Sequence, residues 1–280
     1  MAGTLFIVAT PIGNLEDMTY RAVRTLSEAD LIAAEDTRHS LKLLNHFGIS
    51  KPLTSYFDHN QQFKGEKILD QLRLGKNVAL ISDAGTPCVS DPGYNLIRDA
   101  VREGIRVIPI PGACAAIAAL AASGLPSDTF TFAGFPPARQ GKRRSFLNEL
   151  ARLPGTLVMY EAPHRLEATL ADIRTVLGER DVVVARELSK IYEEFIRGTA
   201  SEVITEVAAG KARGELVILL APEPGSDHGK EEESLESVVA SLLAAGCTVK
   251  DAARQAADTT GRSRNEAYQA ALAVRGGTDA

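Results

Sequence analysis

Apolar residues along the chain fall into short continuous runs separated by polar turns and amphipathic stretches. The clearest run, Val78 to Ile81, is bounded by turn residues and reads as a strand buried on both faces. Similar runs predict strands at Thr4 to Ala9, Leu31 to Ala34, Lys51 to Tyr56 and Arg106 to Ile110. Helical patterns lie between them, at Met18 to Leu26, Leu41 to Phe47, His59 to Leu74 and Tyr94 to Val101. The Ala-rich run 113–122 reads as a packed helix, too short to span a membrane. This alternation predicts a parallel α/β domain over 1–123.

A second α/β domain is expected over 124–224, with strands at 130–135, 156–160, 181–185, 192–197 and 215–220. Helices are expected at 145–153, 166–177 and 201–208. The polar segment 225–233 reads as a linker. Residues 234–280 then show helix, Gly-containing turn, helix, resembling a helix-turn-helix unit, with Thr248 and Ser263 as caps and Gly261 ending the middle helix. Arg262 and Arg264 sit at its turn as candidate RNA contacts, with a plain packing module equally compatible.

The polar punctuation gathers where strands end. After Val78 to Ile81 comes SDAGTPCVSDPG, with two Ser-Asp pairs, two Gly and two Pro in twelve residues. That is long for a βα connection. Asp91 is the expected N-cap of the next helix and Pro92 its first position. Thr10 to Asn14 and Glu35 to Arg38 also follow strands, and parallel topology would bring all three loops to one sheet edge, where α/β folds bind ligands. Pro111-Gly112-Ala113-Cys114-Ala115 allows close approach of backbone or ligand. In the second half, 161–165 and 186–190 combine an acid with a base at strand exits, so the two sets would line a cleft.

Composition narrows the chemistry. The 280 residues carry a net charge of −5, with 45% hydrophobic and 24% charged residues, as in an ordinary globular protein. Nucleic-acid contact would therefore need a local basic patch. The segment Pro136 to Arg144 supplies one, with Arg139, Lys142, Arg143 and Arg144 in nine residues, although such a run equally suits a solvated face. Three dispersed cysteines form neither a disulfide framework nor a metal spacing, which suits a cytoplasmic protein without a metal. No G-x-G-x-x-G opens a helix after a first strand, and no P-loop or nucleophile elbow is present. The small residues and backbone donors suit an uncharged or zwitterionic adenosine ligand.

Six motifs, ATPIGNLED (9–17), AEDTR (34–38), SDAGTPCVSDPG (82–93), PGACA (111–115), YEAPHR (160–165) and RELSKIYEEFIRG (186–198), together resemble one family. It is the ribosomal small subunit methyltransferase family that 2′-O-methylates a cytidine, position 1402, of 16S rRNA. The family lies among the tetrapyrrole-methylase-like enzymes that use S-adenosylmethionine. The resemblance covers roughly residues 4–221 and extends to the C-terminal helices. PGACA departs from the PGPSA usual there, losing a Pro and a hydroxyl from the presumed cofactor wall.

The resemblance implies two α/β domains with the cofactor between them, a homodimer, and 16S rRNA as substrate. It places cofactor contacts on Pro11, Ser82, Asp83, Ala84, Gly85, Thr86 and Val89, and on Gly112, Ala113, Ala115 and Ala116. In the second half it places them on Met159, Tyr160, Ala185, Arg186, Leu188, Gly214 and Glu215. Base candidates are Glu35, Asp36, Glu161, His164, Glu187 and Lys190, with Glu187 and Lys190 preferred and Glu35 next. A tetrapyrrole or other small-molecule methyltransferase on the same scaffold is the rival reading. A nucleic-acid-binding protein without activity is a second.

Overall fold

The computed structural model describes residues 2–57, 61–211, 214–223 and 235–276. The expected linker at 225–233 and the first residues of the expected helix at 59–74 lie outside these. The chain divides into two compact units, up to Pro222 and from Glu223.

The first sheet contains β1 (Thr4–Val8), β2 (Leu31–Ala34), β3 (Leu53–Ser55), β4 (Val78–Ile81) and β5 (Arg106–Ile110). All are parallel, in the order β3-β2-β4-β1-β5. β4 is buried throughout because both of its faces are covered. Val78 and Leu80 pack with Ile68 and Leu72 of α3 (Gln61–Arg73) and Leu96 of α4 (Tyr94–Arg102). Ala79 and Ile81 pack with Leu26 of α1 (Tyr20–Glu28) and Leu44 of α2 (Thr37–His46). β1 and β4 are adjacent, so the loops after them lie side by side at the carboxyl edge.

The start of α4 differs from expectation. Its N-cap is Gly93, with φ +151°, and Asp91 and Pro92 precede the helix. A side chain on Gly93 would collide with the Cys88 thiol, so the turn closes on the one residue without a Cβ.

The second sheet contains β6 (Phe130–Phe132), β7 (Thr156–Glu161), β8 (Asp181–Arg186), β9 (Glu194–Thr199) and β10 (Leu216–Leu220), in the order β6-β7-β10-β8-β9. Only β6 and β7 are parallel; β10 runs antiparallel to both β7 and β8, and β8 antiparallel to β9. β9 begins at Glu194, later than expected. The turn bonds Lys190 N–H to Glu187 C=O (3.0 Å) and Glu193 N–H to Lys190 C=O (3.2 Å) hold the chain out of the ladder until then. One face of the sheet is covered by α6 (Gln140–Leu150), α7 (Leu166–Leu177) and α8 (Ala200–Glu206). The other is covered by α5 (Ala115–Ser123), whose Ala116, Ala119 and Leu120 pack on Val158, Val183 and Val217. α5 follows β5 in sequence yet buries its small side chains on the second sheet, joining the two halves.

α6 starts earlier than expected, at Gln140, because the basic stretch itself forms its first turn: Arg143 N–H donates to Arg139 C=O at 2.9 Å.

The second unit packs α9 (Leu235–Ala244), α10 (Val249–Thr260) and α11 (Arg264–Gly276) around Val239, Ala253, Ala256, Ala267 and Ala271. Thr248 caps α10, and Gly261 at φ +67° ends it. The Ser263 hydroxyl accepts from Glu266 N–H (3.3 Å) while the Glu266 carboxylate accepts from Ser263 N–H (3.0 Å), a reciprocal capping box.

Candidate active site

The loops at the first sheet's edge are tied backbone to backbone. Thr10 N–H donates to Gly85 C=O (2.9 Å) and Gly85 N–H to Thr10 C=O (3.0 Å). Asp36 N–H donates to the Asp83 carboxylate (3.0 Å), and the Thr86 hydroxyl to Ala113 C=O (3.0 Å). The residues after β1, β2, β4 and β5 thus form one rigid rim. Cys88 and Ser90 both hold left-handed backbones at φ +70°, a strained conformation for residues with a Cβ.

Facing this rim is the exit of β8. Glu187 (φ +50°) and Ser189 (φ +67°) are also left-handed. The Glu187 Oε1 accepts from Lys190 Nζ at 3.1 Å and Glu215 N–H at 3.3 Å. Lys190 Nζ also lies 3.5 Å from the Glu215 carboxylate. Burial pulls the Lys190 ammonium down, but these two carboxylates outweigh it and leave its pKa above the ordinary lysine value. The halves touch directly here. The Ser189 hydroxyl donates to Asp17, and a side chain on Gly13 would overlap the Lys190 stem.

Between rim and exit lies a cavity of about 360 Å³. Its first-half wall is Ile12, Ala84 to Thr86, Val89 to Asp91, and Cys114 with Ala115. Its second-half wall is Phe135, Tyr160 to Pro163, Leu188 and Gly214 to Val217. The Tyr160 hydroxyl accepts from Ala116 N–H (3.2 Å) at the start of α5. Burial, with Cys114 close by, pushes its pKa up to about 12. The buried Glu161 is fully engaged by the Thr169 hydroxyl (2.5 Å), Ala162 N–H (2.8 Å) and the Arg165 guanidinium (3.1 Å).

Of the expected cofactor residues, Ala84, Gly85, Thr86, Val89, Ala115, Tyr160, Leu188, Gly214 and Glu215 line this cavity. Pro11, Ser82, Asp83, Gly112, Ala113, Ala116 and Ala185 do not line it and belong to or adjoin its supporting loops; Ser82, for example, is buried and accepts from Thr10 through its carbonyl. Two of the expected residues turn their side chains elsewhere, which leaves their main chain to meet a cofactor. The Met159 side chain points to the opposite face of β7, into the core under α6 and α7, because side chains alternate along a strand. Arg186 is turned away by its 2.6 Å contact with Glu194. Ile12, Asp91 and Pro163 line the cavity from loops expected to form the cleft, though not expected as cofactor contacts, whereas Phe135, Leu216 and Val217 line it from outside those loops. Phe135, expected as the last residue of a strand, lies beyond β6, which ends at Phe132, and its usable signal was an aromatic residue directly before Pro-Pro.

Among the base candidates, Glu35 lies within 3.5 Å of Asp83 N–H on the rim and does not line the cavity. Asp36 caps α2 and pairs with Arg38, which holds its carboxyl below the usual range. His164 is exposed on the turn Pro163–Arg165. Glu187 and Lys190 are a joined pair beside the cavity.

The basic segment divides. Arg143 is 4% exposed and, with Arg144 and Gln140, holds the buried Asp172 of α7; Arg143 is 2.6 Å and Arg144 2.7 Å from its oxygens. Arg143 is therefore a structural residue and not an RNA contact. Arg139 and Lys142 are exposed, as are Arg262 and Arg264 at the α10–α11 turn.

Comparison with known proteins agrees with this arrangement. Residues 4–204 match the family described as Tetrapyrrole (Corrin/Porphyrin) Methylases, and residues 230–275 match the RsmI C-terminal HTH domain. The protein called ribosomal RNA small subunit methyltransferase I from Pseudomonas aeruginosa is 50% identical over 98% of this chain and 99% of its own. That of Halalkalibacterium halodurans is 49% identical over 95% of this chain and 93% of its own. The chain belongs to the ribosomal RNA small subunit methyltransferase I family. Among solved structures, uroporphyrin-III C-methyltransferase from Thermus thermophilus, at 20% identity, shares the fold with a TM-score of 0.54 over 80% of this chain and 99% of its own. The methyltransferase CobJ aligns with a TM-score of 0.58 at 18% identity, over 79% of this chain and 95% of its own.

Members of this family depend on S-adenosylmethionine, and the cavity fits such a ligand. Its volume lies within the roughly 300–1,000 Å³ of small-molecule sites. Its walls are mainly small or apolar side chains, and its glycines carry positive φ at Gly85 (+78°) and Gly214 (+77°), bringing main chain to the ligand. Glu215 offers a carboxylate at the wall.

Proposed function

We propose that this chain methylates the ribose 2′-hydroxyl of a cytidine, position 1402, in 16S rRNA of the small ribosomal subunit, with S-adenosylmethionine as methyl donor. The observation that carries this reading is the cavity between the two sheets, with the Glu187–Lys190 pair at its edge, in a chain that matches its rRNA-methylating relatives over nearly its full length. The cofactor supplies an electrophilic methyl group on a sulfonium centre.

The protein contributes mainly by holding and excluding. Ala84 to Thr86, Ala115, Tyr160 and Leu188 form the wall for the cofactor, and the hydrogen-bonded rim keeps that wall from yielding. Such preorganisation can remove about 7–11 kcal/mol from the barrier to a transfer between two bound partners. A neutral sulfide needs no acid on leaving. A ribose hydroxyl is a weak nucleophile, so a base gains rate. Glu187 fills that role: Oε1 is anchored by Lys190 and Glu215 N–H, and Oε2 takes the hydroxyl proton. Lys190 stays protonated and positions the carboxylate rather than acting as a base. Arg139, Lys142, Arg262 and Arg264 contribute sequence-independent phosphate contacts. The reading includes a homodimer, measurable by sedimentation equilibrium. Among the described residues no helix is long and apolar enough to cross a membrane.

The test is transfer of labelled methyl to small subunits whose rRNA lacks the modification, with the site mapped and checked for its 2′-hydroxyl. Label on one cytidine ribose is expected. Label only on free tetrapyrroles or other small acceptors would overturn the assignment.

A further inference from the structure

Phe135 lines the cavity yet is 55% exposed, so one part of it belongs to the wall and another remains open. Its ring is fixed from behind. Tyr160 meets Phe132 edge-on at 4.9 Å between centroids and Phe135 at 5.5 Å with a 60° tilt. Tyr160 is itself anchored through its hydroxyl to Ala116 N–H. Gly134, immediately before Phe135, has φ +65°, and its C=O accepts from Tyr160 N–H at 2.9 Å, which sets the direction in which the chain leaves β6. The chain then runs through Pro136 and Pro137, two residues with fixed φ. The Arg165 guanidinium donates to Pro136 C=O and ties this segment to the turn after β7.

The same segment next reaches the first turn of α6, where the basic run is sorted by burial. Arg143 and Arg144 are committed to Asp172 and fix the helix. Arg139 and Lys142 are exposed, and neither shows a carboxylate partner among the described residues. A rigid half-open aromatic at a cavity mouth, followed within seven residues by two exposed cations on a clamped helix, is the combination that recognises single-stranded nucleic acid: ring for base, cation for phosphate. An apolar protein partner would not account for the cations.

We infer that Phe135 is the stacking platform for the base of the nucleotide being methylated, or of its immediate neighbour, with Arg139 and Lys142 taking a flanking phosphate. This rests on the reading of the chain as an rRNA methyltransferase and adds where the RNA strand enters. A splayed-out nucleotide, its base held on Phe135, would present its ribose toward the cavity rather than its base edge. That suits chemistry on the sugar.

The test uses the full-length protein and small subunits lacking the modification. For Phe135→Ala, the KM for subunits should rise about tenfold, the loss of one base stack, and by clearly more than any loss of S-adenosylhomocysteine affinity measured by calorimetry, since the ring also lines the cofactor cavity. Phe135→Trp should restore the KM. Arg139→Gln with Lys142→Gln should weaken subunit binding and reduce the slope of log K against log salt by about 0.7, for the one flanking phosphate lost from a single strand. An unchanged KM in Phe135→Ala, with the wild type active, would overturn the platform and leave the rRNA assignment standing. A loss of S-adenosylhomocysteine affinity as large as the rise in KM, or an altered oligomeric state, would overturn it by showing that the ring serves the cofactor or a contact between copies instead. A wild type that methylates no RNA would remove the rRNA assignment itself, and this inference with it.

Discussion

The Glu187 carboxylate occupies the space where a side chain on Gly214 would stand. The two lie on adjacent strand ends: Glu187 N–H donates to Glu215 C=O (3.1 Å), and Gly214 immediately precedes that partner. Gly214 is also at φ +77°, where an L side chain costs about 1–2 kcal/mol.

Gly214→Ala should therefore expel Glu187 from its bond with Lys190. We expect methyl transfer to fall at least about tenfold, with a loss of stability of about 1–2 kcal/mol from the backbone alone. Glu187→Gln should lower kcat at saturating RNA by about 10²–10⁴ if the carboxylate takes the proton. Because both changes act on the Glu187 carboxylate, their effects on kcat at saturating RNA and cofactor should be less than additive in the double variant. Full turnover by Glu187→Gln would remove Glu187 as the base.

Lys190 makes a prediction about alkaline pH. Its folded pKa is raised above the ordinary 10.5, so its stabilising contribution is complete below that value and is lost as pH rises through the folded pKa. The side chain is 29% exposed, which limits the contribution to about 1 kcal/mol or less. Urea denaturation of wild type and Lys190→Met should differ by a constant amount near neutrality. The gap should close above about pH 10.5. A gap that persisted there would mean that packing over Gly13, and not charge, is what Lys190 provides.

The Arg143–Asp172 pair should matter for stability rather than for RNA. Burial raises the Asp172 pKa, but hydrogen bonds from Arg144, Arg143 and Gln140 more than reverse this, leaving it below 3.8. Asp172→Ala strands a buried guanidinium and should cost about 3–5 kcal/mol. A group with a depressed folded pKa stabilises above its unfolded value, so wild type should lose this contribution only as pH falls below about 3.8 and through the lower folded pKa. Replacing Arg143 and Asp172 together by Met and Leu should recover most of the loss. No recovery would mean that the pair also specifies how α6 docks on α7.

Cys88 should be a slow thiol. Burial, and then the nearby Asp91 charge, push its pKa from 9.0 to about 11. At pH 8 its thiolate fraction should be about a hundredfold below that of a thiol at 9.0, and alkylation slower in proportion. Peptide mapping after a timed iodoacetamide pulse would read this directly. Rapid modification of Cys88 would mean that the 88–93 turn opens often enough to expose it.

Much of this protein is legible locally. The buried strands appear as apolar runs because both faces of each sheet are covered. The caps at Thr248 and Ser263 are legible because capping joins residues three apart. The loops that line the cavity are legible because close approach of main chain to a ligand demands small residues in unusual number. What the chain does not show on its face depends on partners far away in sequence. Arg143 looks like its basic neighbours until Asp172, 29 residues on, buries it. Asp91 looks like a better cap than Gly93 until the Cys88 thiol leaves no room for a side chain. The Ala-rich helix after β5 belongs to the second sheet because small side chains pack equally well on either, and only the tertiary fold determines which surface they meet. The antiparallel place of β10 between β7 and β8 is likewise invisible in an apolar run, since ELVILL would be buried in either direction. Sequence determines which groups exist and which short-range bonds they can make. The tertiary structure decides which long-range neighbour each one meets, and so which of two chemically identical residues is structural and which stays free for function.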